Sequence, residues 1–186
     1  MTTIHQGAID RARALALSFV RTEARFAQVT TIGRRGLPVG RTMSAFLTDD
    51  WSVELIQRRT HHRVAQLLHD PRVLVTWVGP AAEGASNEHP HVFDLGLLVP
   101  RVIFVQGNVE HLSAQQTWDS YAAHSAGLRA AGNYRAPDRA PENVAKELVG
   151  FRVHPRRVRL EGFGVAAETF DWNCQPITSR EDEARS

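Results

Sequence analysis

The stretch that most constrains the fold is residues 39–78, VGRTMSAFLTDDWSVELIQRRTHHRVAQLLHDPRVLVTWV. Residues 37–48 and 51–57 are rich in β-branched and aromatic side chains, which favours strands. Asp49 and Asp50 between them are typical turn residues. With a further strand at residues 25–32, this pattern predicts a β-meander in the first half of the chain rather than a series of βαβ units.

A basic cluster stands where the strand at 51–57 is followed by a short helix at residues 61–69. The helix is expected to end before Asp70-Pro71, because a residue that precedes proline avoids helical geometry. Thr60 is the candidate N-cap. The unpaired amides and the dipole of a helix start attract anions, so the cluster indicates a phosphate site. The alternative is a solvated cationic helix start that binds nothing. The cluster consists of Arg58, Arg59, Thr60, His61, His62 and Arg63.

The remaining elements follow from periodicity and from turn residues. A strand is predicted at residues 101–112, with a bulge or a close approach at Gly107. A closing hairpin is predicted from residues 151–154 and 157–163, with His154-Pro155-Arg156 at its turn. Further predicted elements are an amphipathic helix at 7–24, a strand at 72–78, a helix at 113–130 capped by Ser113, with Trp118, Tyr121, Ala122 and Leu128 on its apolar face, and a short helix at 142–148.

Composition restricts the class of protein. The chain has 186 residues and 42% hydrophobic residues, which predicts one soluble domain over residues 1–172 with a flexible tail at 173–186. The formal net charge is only +2 and shows no basic stripe, so no nucleic acid is expected as a partner. No segment is long and apolar enough for a membrane. Cys174 is the single cysteine, which fits a cytoplasmic protein without disulfides.

Several motifs resemble those of the split-barrel flavoproteins of the pyridoxamine 5'-phosphate oxidase-like family. Gly40-Arg41-Thr42-Met43 is similar to the strand that lies along the flavin ring. Residues 61–73, HHRVAQLLHDPRV, resemble the run S-R-K-x-x-x-L-x-x-D-P-R-V. Residues 105–109 resemble V-x-G-x-A, and residues 151–158 resemble the family's closing segment. No glycine-rich dinucleotide fingerprint or P-loop occurs.

The resemblance implies a mainly β protein with flanking helices (α+β), built on an antiparallel split β-barrel of the FMN-binding type. It implies a homodimer with FMN at the interface and an oxidoreductase activity on an unknown small molecule. Arg63 and His62 would contact the phosphate, with Arg58 and Thr60 nearby. The residues expected along the isoalloxazine ring are Arg41, Thr42, Met43 and Ser44, with Gln57 beside the ring edge.

Alternatives remain open at this point. Some relatives bind a deazaflavin, whose longer acidic tail would need more cations, for which Arg34, Arg35 and Arg59 are candidates. Others handle haem, so a non-enzymatic flavin- or haem-binding protein is a third hypothesis. His89 and His91 are read as part of a polar loop, and no metal site is predicted. Tyr121, His124 and Tyr134 are read as packing or surface residues rather than a gate, and no catalytic residue is assigned.

Overall fold

The computed structural model describes residues 6–86 and 97–174, which form four helices and eight strands. They are α1 (Gln6–Thr22), β1 (Phe26–Ile32), β2 (Pro38–Ser44), β3 (Phe46–Leu47), β4 (Val53–Arg58), α2 (His62–His69), β5 (Arg72–Gly79), β6 (Arg101–His111), α3 (Ala114–Ala130), α4 (Pro141–Glu147), β7 (Leu148–Phe163) and β8 (Glu168–Asn173). The predicted class, mainly β with flanking helices, is confirmed.

The strands form one antiparallel sheet in the order β2-β1-β5-β6-β7-β4-β3, and β8 also pairs with β7. Only Ala45 separates β2 from β3 in the chain, although the two strands end the order on opposite sides. The sheet must therefore curl until its ends meet, which gives the predicted split barrel. The strand predicted at residues 37–48 is divided into β2, which pairs with β1, and β3, which pairs with β4. The other neighbour of β4 is β7.

Side chains that alternate along the strands fill the inside of this half-barrel. In β1 every second residue is buried, namely Ala27, Val29 and Thr31. Ala16 and Phe19 of α1 are buried in the same core. A fully buried Val, Leu or Phe side chain contributes roughly 1.5–3 kcal/mol, so the inner face holds the strands in register.

β7 corrects the predicted closing hairpin. The segment His154-Pro155-Arg156 does not turn but lies inside one continuous strand of 16 residues. Pro155 has no backbone N–H to donate to the neighbouring strand. The strand tolerates this because Pro155 lies opposite Gly107, where the register shifts between Gln106 and Gly107. That irregularity is the bulge predicted at Gly107. The hairpin that closes the chain is instead formed by β7 and β8.

α2 begins one residue later than the capping prediction requires. The amide of His61 donates to the carbonyl of Arg58 at 3.1 Å, which makes residues 58–61 a turn. His61 is therefore the N-cap, without a side-chain capping bond, and the assignment of Thr60 as N-cap is wrong. The helix ends at His69, as the following Asp70-Pro71 predicts.

α3 is capped as predicted but buries a different face. The Ser113 side chain accepts from the amide of Gln116, and the Gln116 side chain accepts from the amide of Ser113, a complete capping box. The buried residues of α3 are Thr117, Ser120 and Ser125, rather than the predicted apolar set. Hydrogen bonds of these hydroxyl groups to the sheet and to the loop after α3 compensate their burial.

Some predictions fall outside the described residues: His89, His91 and the tail from residue 175 onward. Among residues 6–86 and 97–174, no group of three or more His, Cys, Asp or Glu side chains could hold a metal ion. None of the helices in these ranges is long and apolar enough to span a membrane.

Candidate functional site

A cation-lined cleft of about 510 Å³ lies between the end of β4, the start of α2 and residues 133–139 after α3. Four arginines and no carboxylate belong to its lining. One of them, Arg139, is neutralised by Glu147 at 2.6 Å. No ion pair is found for the other three within the described part of the chain, so the cleft attracts an anion. These three are Arg58, Arg63 and Arg135.

Arg63 is held in place inside this cleft by a neighbouring strand. Its Nε donates to Oε1 of Gln57 at 2.8 Å, and one Nη lies 3.3 Å from Nδ1 of His61. Partial burial, and next the positive charge of Arg41, lower the pKa of Arg63 below its ordinary value. The positive charge of Arg41 thus acts on Arg63 from outside the cleft, whose lining contains no carboxylate. An anionic ligand would relieve this repulsion.

Gln57 supplies a second polar group to the cleft. Gln57 is only 5% exposed, and its Oε1 accepts a hydrogen bond from Nε of Arg63. The Nε2 atom is buried and has no hydrogen-bond partner among the described residues. A buried donor without a partner costs stability, so this amide is suited to a carbonyl or phosphate oxygen of a ligand.

The structure gathers only part of the predicted site. Met43, Ser44, Gln57, Arg58 and Arg63 line the cleft. His61 takes the place there that the resemblance gives to His62. The remaining predicted residues do not line it: Arg41, Thr42, Thr60 and His62.

Two of those four have other contacts. The Thr42 hydroxyl accepts from Nε2 of Gln28 at 2.9 Å. Arg41 donates to the carbonyl of Gly40 at 3.0 Å, while its charge still reaches Arg63. Of the three residues interpreted as packing or surface residues rather than a gate, Tyr121 and His124 line the cleft, whereas Tyr134 is 86% exposed.

A buried polar cluster behind the cleft was not predicted from the sequence. Glu54, which is 7% exposed, accepts from Ser120, His124 and Arg152, each at 2.6 Å. The hydrogen bond from His124 is the largest cause that lowers the pKa of Glu54 to about 2; burial opposes it, and Ser120 and Arg152 add to it. The only signal in the sequence is a glutamate inside an apolar strand, WSVELIQ.

Comparison with known proteins decides the family. The family model described as pyridoxamine 5'-phosphate oxidase matches residues 15–162. The chain belongs to the pyridoxamine 5'-phosphate oxidase family. No curated protein matches the sequence of this family member.

Solved structures of other proteins share the fold. The heme binding protein from Mycobacterium smegmatis is 19% identical, with a TM-score of 0.58 over 92% of this chain. ChuZ from Campylobacter jejuni is 10% identical, with a TM-score of 0.57 over 92% of this chain. The chain spans only 60% and 61% of the lengths of these two proteins.

A third similar structure has nearly the same extent as this chain. General Stress Protein 26 from Bacillus anthracis is 13% identical, with a TM-score of 0.55 over 88% of this chain and 99% of its own. At these identities the likeness concerns the fold alone.

The residues of the cleft fit the phosphate of a flavin nucleotide. Arginine binds phosphate oxygens through two parallel N–H donors, and the fixed side chain of Arg63 loses little freedom on binding. The buried Nε2 of Gln57 is the kind of donor that a carbonyl-rich ring or a phosphate requires. A volume of about 510 Å³ lies within the range usual for cofactor sites.

Proposed function

We propose that this family member binds FMN in the cation-lined cleft and acts as an oxidoreductase on a small molecule. The observation that carries the proposal is the Arg63–Gln57 pair, a fixed guanidinium beside a buried unpaired amide donor. The family matched over residues 15–162 supports the same reading, because its members usually bind flavin.

The residues have distinct roles in this proposal. Arg63, with Arg58 and His61 beside it, holds the phosphate. Met43 and Ser44 lie along the ring from β2, and the free amide hydrogens of Gln57 donate to an acceptor of the cofactor. When bound, the flavin supplies hydride or electron transfer, which explains why the chain needs no nucleophile of its own.

We propose that the protein works as a homodimer in the cytoplasm, with the cofactor held by both subunits. Exposed large apolar side chains on different elements support a partner surface, among them Leu68 on α2 and Val78 on β5. Sedimentation at several concentrations tests this point, and a monomer at every concentration would contradict it.

A deazaflavin and haem are the two alternatives to FMN as the cofactor. The cations proposed for a deazaflavin tail, Arg34, Arg35 and Arg59, do not line the cleft, but Arg135 does. Haem is favoured by the likeness in fold to the mycobacterial heme binding protein. His61 and His124 line the cleft and offer imidazoles for it.

The visible absorption spectrum of the freshly purified protein, and of the supernatant after heating, separates these cofactors. FMN predicts a two-banded flavin spectrum in both samples. A single deazaflavin-type band or a haem-type band would contradict the FMN assignment. If the protein is colourless, FMN, deazaflavin and haem are added back separately, and failure of FMN to bind refutes the proposal.

A further inference from the structure

A second cavity adjoins the cation-lined cleft and differs from it in chemistry. This apolar cavity has a volume of about 640 Å³ and lies between the end of α1, the segment from β2 to β3, and α3. The two spaces share one wall, to which Phe46, His124 and Leu128 contribute. A molecule in the apolar cavity would therefore lie directly beside a ligand in the cleft.

Small residues line one side of the apolar cavity. Ala123 and Gly127 of α3 lie four residues apart and so share one helix face. Ala45 faces the same cavity from the sheet. A Cβ atom built on Gly127 meets nothing within 4 Å, so open space begins directly at the helix backbone. This side of the cavity therefore leaves room for an apolar part of a ligand.

The carboxylate of this cavity is neutralised at its edge. Asp49 lies 3.3 Å from Arg21, and both side chains are largely exposed. No other acidic side chain belongs to the lining. The rest of the lining is mainly apolar, and its other polar side chains are Arg25, Ser44, Thr48, His124 and Asn133.

His124 presents a defined polar atom to the shared wall. Its Nε2 lies 2.6 Å from Oε2 of Glu54, a carboxylate whose pKa is about 2 and which therefore only accepts. In the neutral imidazole the hydrogen must then be on Nε2, which leaves the lone pair on Nδ1. The ring stacks on Phe46 with centroids 3.8 Å apart, which prevents its rotation.

His124 has one ring nitrogen, Nδ1, to which no hydrogen bond is found among the described residues. The side chain keeps 21% of its surface exposed, and it lies on the wall of both spaces. Nδ1 can therefore accept a hydrogen bond from a ligand.

We infer that the apolar cavity binds the substrate, a largely apolar molecule whose hydroxyl or amino group donates to Nδ1 of His124. Calling this ligand the substrate rests on the proposed function. The binding site itself does not, since it is formed by residues other than Arg58, Arg63 and Gln57.

The test uses the full-length protein as purified and two probes, 2-naphthol and 2-methoxynaphthalene, with affinity measured by calorimetry. Both probes are flat and apolar, but only 2-naphthol has a donor. One net hydrogen bond predicts that 2-naphthol binds about three- to tenfold more tightly. Equal affinity, or no binding of either probe up to its solubility limit, overturns the inference.

Gly127→Leu places a side chain in the cavity from a position where a Cβ atom meets nothing within 4 Å, and it replaces a glycine in a helix by a better helix former. We expect it to weaken binding of both probes about tenfold or more, because the leucine occupies the volume that they need. Ala126→Leu is the matched control, since Ala126 is exposed on the same helix and does not line the cavity. An equal effect of both variants overturns the inference.

His124→Phe keeps the stacking on Phe46 and removes the acceptor. We expect both probes to bind this variant with similar affinity. FMN affinity is measured for every variant. Failure of the wild type to bind FMN, with intact probe binding, would contradict only the proposed function. If sedimentation shows that Gly127→Leu converts a dimer into a monomer, the cavity is part of the interface with a second copy of this chain, and the substrate site is refuted.

Discussion

Glu54→Gln tests how the buried cluster behind the cleft contributes to stability. The change keeps the shape of the side chain and an oxygen that can accept from His124. It removes the negative charge opposite Arg152, which lies 2.6 Å away. Any difference in the free energy of unfolding between the two proteins therefore reports mainly on that charge.

The size of the effect follows from the pKa of Glu54, which falls from its ordinary value of 4.5 to about 2. At about 1.4 kcal/mol for each pKa unit, the difference gives about 3 kcal/mol. Arg152 keeps 36% of its side chain exposed, so solvent screens part of this interaction. We expect Glu54→Gln to cost about 2–3 kcal/mol at pH 7, which corresponds to a decrease in Tm of roughly 4–12 °C.

The pH dependence gives the sharper test. A carboxyl group whose pKa is depressed in the folded state stabilises the protein fully above its unfolded value, here pH 4.5. That stability is lost as the pH falls through the folded value of about 2. The advantage of the wild type over Glu54→Gln should therefore be constant from pH 7 to 5 and shrink steadily between pH 4.5 and 2.

Urea unfolding of both proteins at pH 7, 5, 3.5 and 2.5 measures this difference. Glu110→Gln is the control, because Glu110 pairs with His154 at 2.7 Å at a site where half of its side chain is exposed. Such an exposed pair contributes less than about 1 kcal/mol. A difference for Glu54→Gln that is equally small at pH 7, or that does not change between pH 5 and 2.5, would refute the reasoning.

Two further predictions concern the scaffold. Gly107→Ala should destabilise the protein by roughly 2–3 kcal/mol, because its Cβ would lie 2.1 Å from the carbonyl oxygen of His154. Gly127→Ala is the control, since a Cβ at that position has free space. Equal urea midpoints for the two variants would contradict the close approach at Gly107. Ser113→Ala should lower stability by about 1 kcal/mol through loss of the capping box of α3. Unchanged thermal unfolding of Ser113→Ala would show that this cap contributes nothing.

Local patterns predicted much of this fold. Alternating burial in β1 follows from the alternating sequence, and α2 ends where Asp70-Pro71 requires. The strand at residues 101–112 and its irregularity at Gly107 also follow from the sequence. These features depend on residues that are close together in the chain.

The errors arose where distant residues decide the structure. His154-Pro155-Arg156 has the composition of a turn, but pairing with β6 keeps it in a strand, since the bulge at Gly107 accommodates the proline. The buried face of α3 is polar because its hydroxyl groups meet partners elsewhere, such as Glu54 for Ser120. No local pattern in the sequence of α3 indicates that partner.

The same limit applies to the candidate site. The motif around Arg63 indicated an anion site, but its fixation by Gln57 depends on how the turn at residues 58–61 folds back onto β4. His124 is 70 residues from Glu54 in the chain, and only the packing of α3 against β4 brings them together. Arg135 reaches the cleft from an irregular segment whose path periodicity does not predict.

The central claim is that Arg63 binds the phosphate of FMN, and a comparison of FMN with riboflavin tests it most directly. Riboflavin lacks the phosphate but keeps the ring. Affinities of both ligands are measured by calorimetry for the wild type, for Arg63→Ala and for Arg34→Ala, an exposed arginine outside the cleft.

Charge-assisted hydrogen bonds contribute about 1.5–3 kcal/mol, so Arg63→Ala should weaken FMN binding about tenfold to 150-fold. Riboflavin affinity should change little in that variant, and Arg34→Ala should leave both ligands unaffected. If Arg63→Ala weakens FMN and riboflavin equally, or neither of them, Arg63 does not bind the phosphate and the account of the cleft is wrong.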